Sequence, residues 1–210
     1  KRVKYIGNLK FASNYNNLSL SKNNIKILNN YNTWCAASIH RGEEIFCLQT
    51  HIALKKIKKK ILTIIIPRHI NNVKYIKKQS KKLNLKTQVV DGNENIRNDL
   101  DVLIINSFGV LTKYFNYCQN IFIGKSILPR LKSVGGQNPI EAAKLGCKIY
   151  HGQYVYNFKE VYDYLKSKNI SYEVKNISQL KYMLLKDFNA RKKNNKKNIN
   201  NINKYGKIIL

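Results

Sequence analysis

Short apolar runs alternate with amphipathic stretches from residue 33 onward, and that alternation admits few folds. A strand of a parallel sheet is buried on both faces, so it reads as a near-continuous apolar run, and each return to the sheet needs a crossover helix. The runs predict strands over 33–37, 61–66, 87–90, 102–105, 121–123 and 147–150. Between them the periodicity predicts helices over 42–57, 70–83, 111–117 and 139–145, and beyond residue 152 two more over 158–168 and 177–188. The helix over 70–83 is two-faced: Val73, Ile76, Ser80 and Leu83 share one side, and Lys74, Lys77, Lys78, Lys81 and Lys82 spread over the other. The fold class that follows is α/β, a doubly wound, mostly parallel sheet. It occupies residues 31–188, with 1–30 as a linker from a preceding unit and 189–210 as a basic Lys/Asn-rich tail or helix.

Length and charge narrow the partners. A chain of 210 residues buries one sizeable core. Its 39 Lys and Arg against 11 Asp and Glu leave a net charge of +28, which calls for an anion: nucleic acid, an anionic membrane surface or a phosphorylated ligand. Lys, Asn and Ile are abundant along the whole chain, however, so part of that excess is a general compositional bias. The four cysteines, Cys35, Cys47, Cys118 and Cys147, have no C-x-x-C spacing and lie within or beside apolar segments, as buried free thiols do. The four histidines are too scattered for a helical metal pair, and no apolar run is long enough to span a bilayer. A start at Lys1 fits a piece of a longer chain.

In an open parallel sheet, ligands bind beyond the carboxyl ends of the strands. Four polar clusters fall there. Ser38-Ile39-His40-Arg41-Gly42-Glu43-Glu44 follows the first strand, Pro67-Arg68-His69 the second, and Asn106-Ser107-Phe108-Gly109 the fourth. The last is Gly135-Gly136-Gln137-Asn138-Pro139-Ile140-Glu141-Ala142-Ala143, a glycine loop opening onto a helix start. Adjacent glycines let backbone approach a ligand, Asn138 suits the N-cap, Pro139 the first helical position and Glu141 the third. Free N–H groups and the helix dipole then favour an anion in the loop. The same residues also satisfy a capping box, with Glu141 turned back onto backbone, and both readings stand on the residues alone. Ser38 and Arg68 are ordinary phosphate donors as well as ordinary surface residues. Together the loops describe a nucleotide pocket.

The ordered set of motifs resembles the 3-deoxy-D-manno-octulosonic acid (Kdo) transferases, which attach Kdo to a lipid A precursor. It runs from Gly7-Asn8-Leu9-Lys10-Phe11 through Trp34-Cys35-Ala36-Ala37-Ser38, His40 and Gly42-Glu43-Glu44. It continues through Ile65-Ile66-Pro67-Arg68-His69, Phe122-Ile123-Gly124 with Ser126, the glycine loop, and Asn157-Phe158. The resemblance implies a Rossmann-like domain, the carboxyl-terminal, donor-binding half of a GT-B glycosyltransferase. By position it makes Ser38, Arg68, Gly136, Gln137, Asn138 and Glu141 the donor site for CMP-Kdo. Glu141 would take the ribose hydroxyls, Gln137, Asn138 and the loop N–H groups the phosphate, and Arg68 the cytidine or phosphate side.

The resemblance further implies inverting transfer to a lipid A precursor at the cytoplasmic face of the bacterial inner membrane, as a peripheral protein beside anionic lipid. The catalytic carboxylate would lie in an amino-terminal domain, on the same or a separate chain, and no acid of this chain takes that role. Neither metal nor cofactor is implied, since lysines, N–H groups and a helix terminus neutralise a phosphomonoester. Three positions depart from the family pattern: Val110 where a carboxylate is usual, Lys125 for a glycine, and Ile39 for a threonine. They leave a second reading, a non-catalytic remnant or a nucleotide-binding module of a split enzyme. Nucleic-acid binding ranks last, resting on charge with no recognition signature.

Overall fold

The computed structural model describes residues 19–92 and 94–190. Seven strands form one sheet: β1 (Asn32–Ile39), β2 (Ile61–Pro67), β3 (Thr87–Val90), β4 (Val102–Ile105), β5 (Asn120–Ile123), β6 (Lys148–His151) and β7 (Ser171–Glu173). Their spatial order is β3-β4-β2-β1-β5-β6-β7, with every adjacent pair parallel. The chain winds outward from β1 through β2 to β3 and β4, then returns to lay β5, β6 and β7 on the other side. The reversal lies between β1 and β5, the point at which doubly wound sheets open a crevice at their carboxyl edge.

Side chains alternate across the sheet with a period of two, which splits the core into two layers. On one face Cys35, Ala37, Leu62, Ile64 and Ile121 pack beneath α1 (Lys22–Asn29), α4 (Leu111–Phe115), α5 (Ile140–Lys144) and α6 (Lys159–Ser167). On the other, Trp34, Ala36, Ile61, Ile65 and Phe122 meet α2 (Glu43–Lys55), α3 (Val73–Lys82) and α7 (Ile177–Ala190). All four cysteines are buried and free, and burial pushes the thiols of Cys35 and Cys47 well up. On α3, Val73, Ile76 and Ser80 are buried, while its five lysines face outward.

Three differences from the sequence reading have physical causes. The described part of segment 1–30 is not a linker: Ser21 caps α1 through the N–H of Asn24 at 3.2 Å, and Leu20, Ile27 and Leu28 enter the core. Buried Asn24 also bridges a distant loop, donating to Glu94 O and accepting from Ile96 N–H, each at 2.9 Å. The motif Gly7 to Phe11 lies outside the described residues, as does the tail beyond Ala190. The extra strand β7 has three residues, too few for a period-two signal to stand out. The helix over 70–83 opens with a 3-10 turn, Ile70–Asn72, before α3 begins.

At the carboxyl end of β1 the register slips between Ala37 and Ile39, and Ser38 sits in the left-handed region with φ 55°. Such a bulge re-aims the strand end.

Asn24→Ala is expected to cost about 2 kcal/mol in urea unfolding, because it orphans the buried Ile96 N–H and Glu94 carbonyl. A change within about 0.5 kcal/mol, the range of ordinary surface substitutions, would return α1 to the status of a loose linker.

Candidate functional site

The crevice is organised by a carboxylate. Glu43, fully buried at the start of α2, accepts N–H bonds from His40 at 3.0 Å, Lys125 at 2.6 Å, Ser126 at 2.8 Å and Ile127 at 3.2 Å. An ionised carboxylate is tolerated in a low-dielectric interior only when its lone pairs are filled in this way. One side chain thus fastens the turn after β1 to the loop after β5. Its neighbour Glu44 turns back to accept the Gly42 N–H at 2.9 and 2.7 Å. The helix-start role expected of this pair is therefore only part of what Glu43 does.

The glycine loop joins the same network. Gly136 N–H donates to Lys125 O at 2.6 Å, and the buried Tyr162 hydroxyl donates to Gln137 O at 3.0 Å. Both glycines are required, for a reason other than ligand approach. A Cβ at Gly135 would stand 2.2 Å from Tyr154 O, and Gly136 has φ 96° with Val155 3.1 Å from where its Cβ would be. The loop packs on backbone at 154–155, so only glycine fits.

Helix α5 begins at Ile140, one residue later than expected, and has only five residues. Asn138 still caps it, its Oδ1 accepting the Ile140 N–H at 3.1 Å. The return bond of a capping box is absent. Glu141 is half-buried and has no hydrogen bond or ion pair among the described residues, and burial raises its carboxyl above the usual value. The N–H groups of Gln137 and Asn138 are likewise without partners among the described residues.

Around this loop the structure gathers Ser38, Arg68, Gly136 and Gln137 of the predicted set. Arg68 N–H donates to Ile39 O at 3.0 Å, which ties the end of β2 to that of β1 and leaves the guanidinium exposed. Gln137 Nε2 lies 3.2 Å from His40 Nε2, and the ring of His40 meets that of His69 edge-on at 5.6 Å. Desolvation, then the charges of Lys125, His69, Arg68 and Arg130, lower the His40 pKa to about 4. The imidazole is therefore neutral at pH 7, and its Nε2 accepts from the Gln137 amide. His40, Glu43, His69, Lys125 and Arg130 were absent from the predicted site residues. His40, Glu43 and His69 stood in the quoted motifs, but nothing in a linear pattern shows that 43 and 125–127 meet.

The rim is thus rich in cations, and its nearest acids, Glu43 and Glu44, are occupied by N–H groups. It suits a ligand that brings negative charge to the loop and hydroxyls to Glu141. A cavity of about 450 Å³, lined by Tyr31, Lys55, Lys60, Asp99 and Asp101 among others, lies at the opposite, amino edge of the sheet. There Lys55 and Asp101 already neutralise one another.

No family model matches the chain. It is 27% identical over 180 residues to the 3-deoxy-D-manno-octulosonic acid transferase of Aquifex aeolicus, covering 86% of this chain and 46% of the relative. To the probable mitochondrial 3-deoxy-D-manno-octulosonic acid transferase of Arabidopsis thaliana it is 27% identical over 173 residues, 80% of this chain and 38% of the relative. The chain therefore spans less than half the length of these curated relatives. Among solved structures, the crystal structure of the C-terminal CMP-Kdo binding domain of WaaA from Acinetobacter baumannii superposes with a TM-score of 0.72. It covers 84% of this chain and 90% of that one at 22% identity. The fold is that of such a domain.

Two measurements check the site. Glu43→Gln places an amide nitrogen among N–H donors and is expected to cost about 3 kcal/mol, the upper range for a charge-assisted acceptor, with faster amide exchange at 125–127. Unchanged exchange there would remove Glu43 from its central role. The His40 ring, followed by NMR, is expected to titrate near 4. An unfolded histidine titrates near 6.5, so unfolding takes up a proton between about pH 4 and pH 6.5. The stability from neutral His40 is full above that window and lost as pH falls through it; a midpoint above about 6 would mean that the cations do not converge.

Proposed function

We propose that this chain is the donor-binding half of a Kdo transferase, holding CMP-Kdo at the rim between β1 and β5. The observation that carries this reading is the glycine loop, where two N–H groups and the half-buried Glu141 have no partner among the described residues, next to the cations gathered around His40. Glu141 accepts both ribose hydroxyls, for which an ionised carboxylate has enough lone pairs. The N–H groups of Gln137 and Asn138, the Asn138 amide and the Ser38 hydroxyl hold the phosphate. Arg68 lies on the cytidine or phosphate side. Before the ligand arrives, neutral His40 orients the Gln137 amide.

In the reaction an acceptor hydroxyl on a lipid A precursor attacks the anomeric carbon of Kdo, with inversion. The bond from that carbon to the phosphate oxygen breaks, and its electron pair leaves with CMP. Donors already aimed at the phosphate stabilise the charge that builds there. The hydroxyl proton passes to a carboxylate of an amino-terminal half, on the same chain or a separate one. Such work takes place against anionic lipid at the cytoplasmic face of the bacterial inner membrane, and a net charge of +28 supports peripheral attachment. No helix among the described residues is long and apolar enough to cross a membrane.

Titration calorimetry with CMP tests the pocket. The chain is expected to bind CMP, and Glu141→Ala to bind it at least about tenfold more weakly, the cost of losing a charged acceptor. Because burial raises the Glu141 carboxyl, its own share of the affinity is lost on acidification sooner than that of an exposed glutamate. Equal binding by both proteins, or by neither, overturns the assignment.

A further inference from the structure

Lys125 stands out among the cations of the rim. It has φ 58°, in a region that a lysine occupies only at a cost of about 1 kcal/mol or more. Its backbone is gripped on both sides, the N–H by Glu43 at 2.6 Å and the carbonyl by Gly136 N–H at 2.6 Å, so the side chain projects from a fixed base. It is half-buried, and its ammonium has no hydrogen bond or ion pair among the described residues.

The other groups facing this point are Arg68 and His69 from the end of β2, Arg130 from beyond β5, and His40 and Glu43 from the turn after β1. Arg130 is already engaged with Arg41 O, and Glu43 is saturated by four N–H groups. Among the described residues the Lys125 ammonium therefore pairs directly with none of them, although the Glu43 carboxylate lies against its backbone. It acts on His40, for which it is the strongest single cationic influence after burial itself.

We propose that Lys125 is an anion-binding residue of this pocket, closing its ammonium on the phosphodiester of a nucleotide ligand, and that His40 takes up a proton when that anion arrives. The inference rests on the nucleotide-pocket reading and adds to it a residue that the family resemblance counts as a departure. In the empty site, burial first and the surrounding cations second keep His40 neutral. A bound phosphate offsets the cations, the imidazole gains a proton from solvent as the Gln137 amide turns its oxygen toward Nε2–H, and binding becomes linked to pH. The extra charge strengthens the hold on an anion that a neutral glycine at this position does not provide.

The test uses the 210-residue chain and the methyl ester of cytidine 5′-monophosphate, whose phosphate carries one fixed charge. Calorimetry at about pH 5 in two buffers of different ionisation enthalpy reads the protons exchanged. On binding, the unaltered chain is expected to take up a sizeable fraction of one proton more than His40→Gln does, a difference that cancels any proton Glu141 releases as it ionises. Lys125→Gly, free of backbone strain, is expected to unfold no earlier than the unaltered chain and to bind about tenfold more weakly. Lys125→Met, which keeps the strain and drops the charge, is expected to bind as weakly as Lys125→Gly. If both Lys125 variants bind as tightly as the unaltered chain, or His40→Gln takes up as much proton as the unaltered chain, this proposal is overturned while the pocket stands. If the unaltered chain binds neither the ester nor CMP, the pocket falls and the proposal with it.

Discussion

The buried carboxylate of Glu43 is the contact on which the rest of the crevice depends. A parallel sheet brings the ends of β1 and β5 side by side, but the loops beyond them share no strand pairing to hold them in register. Four N–H groups converging on one buried carboxyl supply that hold, and in a low-dielectric interior such bonds are stronger than in water. Through Lys125 the network reaches Gly136, and through Gly136 the loop that carries Gln137 and Asn138. Loss of the Glu43 charge would therefore loosen the anion loop, which it never touches.

The same arrangement sets the electrostatics. Glu43 and Glu44 direct their oxygens to backbone N–H groups, and Arg68, His69, Lys125 and Arg130 make no direct ion pair among the described residues. Burial first and these cations second keep His40 neutral, and a neutral ring accepts from Gln137 where an imidazolium could not. Glu141 is the exception, a carboxylate with nothing to accept from, held in burial that its charge disfavours. A site that combines surplus cation with one unsatisfied acceptor is arranged for a ligand bearing both an anion and hydroxyls.

How much of this was legible in the linear chain depends on the range of the interaction. Six of the seven strands and the helices after residue 40 were readable, because burial on both faces leaves an apolar run and burial on one leaves a 3.6-residue period. Strand β7 was too short to show either. Helix α1 carries no comparable signal, because its anchor, Asn24, finds its partners about seventy residues away. In the glycine loop the residue types were correctly marked as special, yet Gly135 and Gly136 are demanded by the backbone at 154–155 rather than by a ligand.

By itself the sequence determined the layers and the parallel sheet and marked the strand ends and the glycine loop as candidates for a site, since all of these follow from local pattern and from the geometry of winding. Only the tertiary structure decided which charges are already spent and which are free. That Glu43 accepts four N–H groups, that Glu141 and the Lys125 ammonium are unpaired among the described residues, and that His40 is neutral depends on groups brought together from residues 40, 68 and 125–137. A charge is defined by its neighbours in space, and the chain order of those neighbours does not encode them.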